Sequence, residues 1–203
     1  MSTTRRRADV PAPTGGAEAP RGLKPTLPGK MRRGRFITFE GLDGSGKTTQ
    51  MRLLAERLKG LGHDVLVTVE PGGTAIGEQI RRILLDTSNT ALRPTAELLL
   101  YFASRAQNVE EVVFPAIAGG RIVVCDRFTD STMVYQGFGR GLGEEVVTAL
   151  DRIACRGLKP DLTIYLDIDL ETSLARARAR NRTIEGERAV ETRMDVQSAE
   201  FYR

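Results

Sequence analysis

The 203-residue sequence predicts an α/β fold in which a parallel β-sheet carries helices on both faces. Four short apolar runs, residues 35–40, 64–70, 121–126 and 161–167, alternate with segments of helical periodicity. Each run is apolar through its length, as is typical of parallel strands that are buried on both sides. A third observation is the glycine-rich motif between the first run and the first helical segment.

Helical segments separate the predicted strands, and the first is predicted from the spacing of its apolar residues. Met51, Leu54, Leu58 and Leu61 recur at helical intervals and predict the first helix over residues 46–61. The later helices are predicted, in chain order, over residues 75–85, 94–118, 131–136, 143–155 and 170–181, with one more beginning near residue 196.

The glycine-rich segment after the first strand matches the motif G-x-x-x-x-G-K-[ST]. Its residues are Gly41, Leu42, Asp43, Gly44, Ser45, Gly46, Lys47 and Thr48. Glycines let the backbone curl so that its N–H groups point at phosphates, and the next helix adds its positive N-terminal end. Lys47 can reach the β- and γ-phosphates, and the Thr48 hydroxyl suits Mg²⁺, which takes few protein ligands. The motif therefore predicts a site for a nucleoside triphosphate and Mg²⁺.

Charge is distributed unevenly along the chain. Residues 1–34 contain eight Lys or Arg and two acidic residues, so the remaining residues have a net charge of −2 although the whole chain has +4. The basic segment is rich in Pro, Gly, Ala and Arg, and we expect it to be a disordered tail. Residues 1–30 either precede a true start at Met31 or form an arm that binds an acidic partner. The acidic balance of residues 35–203, the predicted domain, argues against a nucleic-acid-binding protein.

Membrane association and metal-cluster chemistry are not expected. The sequence has no run of about 18 apolar residues, and its first 30 residues lack the apolar region of a signal peptide, so we expect a cytoplasmic protein. Cys125 and Cys155 have no metal-ligand spacing, and Cys125, within a strand-like run, is predicted to be a buried reduced thiol. The lone His63 is assigned no chemistry.

The phosphate acceptor should bind where ligands bind in such sheets, beyond the carboxyl ends of the strands. Residues 70–74 read Glu-Pro-Gly-Gly-Thr, and residues 98–107 place an aromatic residue four positions before an arginine. Residues 126–137 match D-R-[YFH]-x-x-S followed by Tyr-Gln-Gly. With the phosphate loop, in this order and at this spacing, the segment from about residue 36 to residue 203 resembles bacterial thymidylate kinases.

The resemblance implies the three-layer fold of P-loop NTPases, with a parallel sheet and helices on both faces. It implies a transferase that phosphorylates dTMP to dTDP with ATP and Mg²⁺, in dTDP and dTTP biosynthesis, and that forms a homodimer. Two alternatives remain: a related P-loop kinase for another nucleoside monophosphate, or an inactive nucleotide-binding fragment. The family continues by several tens of residues beyond the equivalent of residue 203, so its final strand is expected to be missing and the chain to be partial or truncated.

The resemblance also implies roles for individual residues. Tyr101 would stack on the thymine ring, where Phe is commoner in the family, and Arg105, on the same helix face, would donate to a base carbonyl. Arg127 would grip the acceptor phosphate, the alternative being a structural ion pair with Asp126. Asp126 would join Thr48 at the magnesium ion.

Four further positions match residues around the acceptor. Asp43 would lie near the sugar 3′-hydroxyl, and Ser131 near the pyrimidine edge. Tyr135 would crowd the 2′ carbon and so favour deoxyribose. Arg81 either approaches the acceptor phosphate or lies on a solvated helix face.

The phosphate loop has no arginine among residues 42–45, and the resemblance is to family members whose arginines lie in a lid instead. The lid is expected over about residues 176–194. There Arg180, Arg182 or Arg193 would place positive charge over the transferring phosphoryl group and act with Lys47 and Arg127.

Overall fold

The sheet has four strands in the computed structural model, which describes residues 33–183. The strands are Arg35–Glu40 (β1), Val65–Val69 (β2), Ile122–Asp126 (β3) and Leu162–Tyr165 (β4). Their order is β2-β3-β1-β4, and all three pairings are parallel. The predicted parallel sheet is thus confirmed, with β2, β3 and β4 one or two residues shorter at their ends than the apolar runs suggest.

Seven α-helices accompany these strands among the residues described. They are Lys47–Gly60 (α1), Ala75–Leu85 (α2), Pro94–Asn108 (α3), Phe114–Ala118 (α4), Thr129–Thr132 (α5), Glu144–Cys155 (α6) and Leu170–Thr183 (α7). Two π-helical stretches, Val109–Val113 and Met133–Gly139, follow α3 and α5.

The helix predicted over residues 94–118 is one continuous helical path with a π-helical stretch in its middle. Pro115 lies just beyond that stretch, in the first turn of α4. Its ring crowds the carbonyl four residues earlier and it donates no backbone hydrogen bond, which favours a local widening of the helix. The helix predicted over residues 131–136 is longer than expected, because α5 begins at Thr129 and its π-helical continuation ends at Gly139.

Apolar side chains cover both sides of the central strands β1 and β3. The edge strand β4 is mostly exposed, contrary to the expectation that every strand is buried on both sides. On one side the strands pack against α3 and α6, in a cluster that includes Phe36, Val123, Leu98, Phe102 and Val147. On the other side they pack against α1, in a cluster that includes Phe39, Val124, Met51 and Ala55. Adjacent residues of β1 and β3 therefore contribute to opposite clusters, as a strand buried on both sides requires.

Both cysteines are buried and free, which confirms the prediction for Cys125. Within residues 33–183 no helix combines the length and apolar composition needed to cross a bilayer. The basic tail up to residue 32, the predicted helix near residue 196 and the predicted lid beyond residue 183 lie outside the residues described.

Candidate active site

A cleft of about 470 Å³ opens at the carboxyl edge of the sheet, beside the phosphate loop. It is lined by all seven residues that the sequence associates with the acceptor: Asp43, Arg81, Tyr101, Arg105, Arg127, Ser131 and Tyr135. Lys47, Thr48 and Asp126 line the same cleft. The fold thus gathers residues that are up to 92 positions apart in the sequence, from Asp43 to Tyr135.

The phosphate loop has the backbone that its glycines predict. Gly44 and Gly46 have positive φ angles of 78° and 93°, and α1 begins at Lys47. The Lys47 ammonium donates to the carbonyl oxygens of Gly41 at 2.9 Å and Leu42 at 2.7 Å. Burial, helped by the nearby Arg127 charge, lowers the pKa of Lys47 to about 8, although neighbouring carboxylates oppose the shift. Phosphate oxygens would offer this ammonium stronger acceptors than the two carbonyls do.

Thr48 and Asp126 form the pair expected at a magnesium ion. The Thr48 hydroxyl lies 3.4 Å from Asp126 Oδ2. The other oxygen, Oδ1, is buried without a hydrogen-bond partner in the described part of the chain. No cluster of three His, Cys, Asp or Glu side chains in residues 33–183 could hold a metal by itself. The donor set therefore fits Mg²⁺ that takes its remaining ligands from phosphates and water.

Arg127 occupies a turn directly after β3, with a left-handed φ of 67°. Its guanidinium donates to Asp43 Oδ1 at 2.9 Å and to Ser131 Oγ at 3.0 Å, and lies 5.3 Å from the Tyr135 ring centroid. The ion pair is therefore with Asp43 of the phosphate loop, not with the sequence neighbour Asp126. This arrangement holds a guanidinium fork between the phosphate loop and the remainder of the cleft.

Glu40 fixes this turn, and the sequence interpretation assigned it no role beyond ending a strand. Its carboxylate accepts the Phe128 backbone N–H at 2.7 Å and the Ser131 hydroxyl. A backbone hydrogen bond also holds the turn, because the Arg127 N–H donates to Phe39 O at 2.9 Å. Burial raises the pKa of Glu40, and its hydrogen bond from Ser131 opposes that rise. The sequence signal that could have identified this role is a charged residue at the end of an otherwise largely apolar strand.

Arg105 is buried, with only 2% of its surface exposed. Its Nε donates to Glu70, and its Nη2 donates to Thr132 Oγ1 at 2.8 Å. The guanidinium also lies 5.0 Å from the ring centroids of both Phe102 and Phe128. In the described part of the protein its buried Nη1 has no hydrogen-bond partner, so a donor beside the cleft is left for a ligand.

Glu70 holds Arg105 in place and is itself buried. Its second carboxylate oxygen accepts Asn108 Nδ2 at 3.2 Å. Burial raises the pKa of Glu70, while the adjacent Arg105 charge opposes the rise. The E-P-G-G-T motif pointed to this segment, but not to the pairing, because 35 residues separate the two partners.

Tyr101 and Arg81 complete the cleft. Tyr101 is half-buried and lies one helical turn before Arg105 on α3. Arg81 of α2 donates from Nη1 to the Pro71 carbonyl at 2.6 Å and is also partly buried. It therefore does not lie on a solvated helix face, the alternative considered from the sequence.

Two of the three predicted lid arginines belong to the last turns of α7. The backbones of Arg180 and Arg182 belong to α7, but their side chains lie outside the described part of the structure, as does all of Arg193. The side chain of Arg176, earlier on the same helix, approaches Gly44 O at 3.4 Å.

Known proteins resemble the chain over most of its length. The family model described as thymidylate kinase matches residues 39–200. A thymidylate kinase of Pelobacter propionicus is 53% identical over 170 residues, which cover 84% of this chain and 77% of that protein. One of Trichlorobacter lovleyi is 54% identical over 83% of this chain and 78% of its own. The crystal structure of thymidylate kinase from Ehrlichia chaffeensis superimposes with a TM-score of 0.64 at 36% identity, covering 75% of this chain and 87% of the other.

Removing one partner of the buried Glu70–Arg105 pair should cost far more stability than breaking an exposed ion pair. Glu70→Gln leaves the Arg105 charge buried without a counter-charge, and we expect a loss of about 3–5 kcal/mol in the free energy of unfolding. Glu56→Gln is the matched control, because it breaks the exposed Arg52–Glu56 pair and should cost less than about 1 kcal/mol. Urea denaturation measures both, and equal losses would contradict this account.

Proposed function

The chain belongs to the thymidylate kinase family and phosphorylates dTMP to dTDP, and from this premise we propose how the residues of its cleft share the reaction. The observation that carries the assignment is that all seven expected acceptor residues line one cleft beside the phosphate loop. The named relatives favour neither a kinase for another nucleoside monophosphate nor an inactive fragment.

The thymine base binds between Tyr101 and Arg105. Tyr101 offers an aromatic ring at the cleft, and base stacking on such rings is favourable. The open Nη1 of Arg105 donates to a base carbonyl, which satisfies a buried donor that has no partner within residues 33–183. Because Glu70 and Thr132 hold the other nitrogens, this donor is oriented before the substrate arrives.

The sugar and acceptor phosphate bind on the side of the cleft next to the phosphate loop. Arg127 grips the phosphate, with Arg81 nearby, since a guanidinium fork suits phosphate oxygens. Asp43 receives the sugar 3′-hydroxyl, and Ser131 lies toward the pyrimidine edge. Tyr135, whose ring packs on Arg127, limits space at the 2′ carbon.

The donor phosphates of ATP bind to the loop backbone, the start of α1 and Lys47. Thr48 and Asp126 would hold Mg²⁺, and the bound ion would neutralise charge on the phosphates. The lid over residues 176–194, with Arg180, Arg182 or Arg193, covers the transferring group and limits its hydrolysis by water.

No general base is needed, because the attacking oxygen belongs to a phosphate that is already ionised near neutral pH. The only histidine of the chain, His63, is exposed in the turn between α1 and β2. The rate therefore comes from alignment of the two phosphates and compensation of charge by Lys47 and Arg127, to which a bound metal would add.

A homodimer is also part of the proposal. Neighbouring elements α3, the second π-helical stretch and α6 expose large apolar side chains: Leu99, Val134, Phe138, Val146 and Ile153. A second copy would remove this apolar surface from water. Light scattering of the full chain tests the assembly, and a mass of one chain would contradict it. The cytoplasmic location and the disordered basic tail remain predictions.

Substrate preference tests the acceptor assignment. With dTMP, dUMP, UMP, CMP and AMP at equal concentrations, we expect dTMP to give the highest kcat/KM in an assay of ADP release. Loss of the thymine methyl in dUMP should cost roughly 10- to 200-fold, the range for one methyl group in an apolar pocket. The ribonucleotides should be poorer still, because of Tyr135. A higher kcat/KM for any other monophosphate would refute the assignment.

Arg127 should matter for both affinity and rate. Arg127→Ala should raise KM for dTMP and lower kcat by about 10²–10³-fold, since one charge-stabilising donor is lost. Arg121→Ala is the control, because Arg121 lies just before the opposite end of β3, where it pairs with Asp64. Steady-state kinetics compare the two variants, and similar behaviour would exclude the proposed role.

Metal dependence tests the Thr48–Asp126 pair. Asp126→Asn removes a charge that favours Mg²⁺, so more Mg²⁺ should be needed for half-maximal activity. Asp130→Asn, an exposed change four residues along the chain, should leave the metal requirement unchanged. A Mg²⁺ titration at fixed ATP measures both, and an unchanged midpoint for Asp126→Asn would count against this metal site.

A further inference from the structure

The first turn of α7 is tied to the phosphate loop by a buried hydroxyl. Ser173 is 3% exposed, and its Oγ donates to the backbone carbonyl of Asp43 at 2.6 Å. A serine inside a helix commonly bonds the carbonyl of its own preceding turn. The Ser173 N–H makes the ordinary helical bond to Asp169 O, but the hydroxyl does not share that carbonyl and instead bonds outside the helix, to the loop.

The segment that leads into α7 also braces the loop through its backbone. The Leu166 N–H donates to Glu40 O at 2.9 Å, which continues the β1–β4 pairing beyond the strand. At Gly41 the two backbones are so close that a Cβ would lie 2.5 Å from Leu166 O. Arg176 approaches Gly44 O at 3.4 Å. These contacts, together with the Ser173 hydrogen bond, form a continuous seam between the phosphate loop and the β4–α7 segment. Ser173 provides its buried side-chain contact.

Asp43 connects this seam to the acceptor side of the cleft. Its carbonyl accepts from Ser173, while its carboxylate accepts from Arg127 at 2.9 Å. A shift of the Asp43 backbone would therefore shift the carboxylate that orients the guanidinium. The predicted lid begins within α7, at about residue 176, so Asp43 links the helix that carries the start of the lid to Arg127.

We propose that Ser173 is a positioning residue for the acceptor: it fixes the Asp43 backbone and, through the Asp43 carboxylate, the orientation of Arg127. This inference rests on the role proposed above for Arg127 at the acceptor phosphate. A purely structural role, in which a small side chain merely lets α7 pack on the loop, predicts lower stability without selective kinetic effects.

Ser173→Ala separates the two roles, because it removes the hydroxyl and keeps a small side chain. We expect KM for dTMP to rise about 2- to 10-fold, the effect of losing one net hydrogen bond, with a smaller rise in KM for ATP. Thr172→Ala is the matched control, since Thr172 bonds Asp169 at the start of the same helix and does not form the Asp43 bond. It should leave KM for dTMP unchanged.

A double-mutant cycle tests the route through Asp43. In an Asp43→Asn background, where the carboxylate can no longer pair with Arg127, Ser173→Ala should add little to KM for dTMP. Independent, additive effects would overturn the proposal, as would equal rises in KM for both substrates or a lowered Tm with both KM values unchanged. If Arg127→Ala raises KM for dTMP and Ser173→Ala does not, only the inference on Ser173 fails. If neither does, the role of Arg127 fails, and this inference fails with it.

Discussion

The parallel pairing of β1 with β3 is the constraint on which the site depends. It places Phe39 opposite Asp126, so the phosphate loop and the Arg127 turn leave the sheet side by side. The Arg127 N–H extends the ladder by donating to Phe39 O, and Glu40 then accepts from Phe128 and Ser131. A left-handed, non-glycine residue is held here because neighbouring groups on both sides fix its backbone.

Two ion pairs hold two of the arginines that face the cleft. Glu70 pairs with Arg105, and Asp43 pairs with Arg127, so the protein orients its cations in the absence of a ligand. Some buried polar atoms around the cleft have no hydrogen-bond partner among the described residues. In residues 33–183, four buried polar side-chain atoms lack a hydrogen bond, and three belong to the phosphate loop or cleft: Ser45 Oγ, Arg105 Nη1 and Asp126 Oδ1. Buried polar atoms are rarely left unpaired in a native protein unless a ligand, ion or water satisfies them.

On the side away from the Arg127 turn, the phosphate loop contacts the β4–α7 segment. Glycine at position 41 permits the close backbone approach, and Ser173 adds a hydrogen bond to the loop interior. A loop that must curl around phosphates has few side chains of its own with which to pack. Its shape is therefore maintained by the neighbouring β4–α7 segment, which also continues into the predicted lid.

The sequence by itself determined the elements and the chemistry, because these depend on local pattern. Apolar runs predicted the four strands, the helix predicted over residues 75–85 has its observed bounds, and a contiguous motif predicts a phosphate site. Ordered motifs also predicted seven acceptor residues, and these line one cleft. Only the tertiary structure decided how they are held: Asp43 rather than Asp126 as the partner of Arg127, Glu70 behind Arg105, Glu40 beneath the turn and Ser173 against the loop. These partners lie between 35 and 130 positions apart. Their pairing follows from strand order and the packing of helices on the sheet. A local sequence pattern cannot predict it, because the partners are far apart in the sequence.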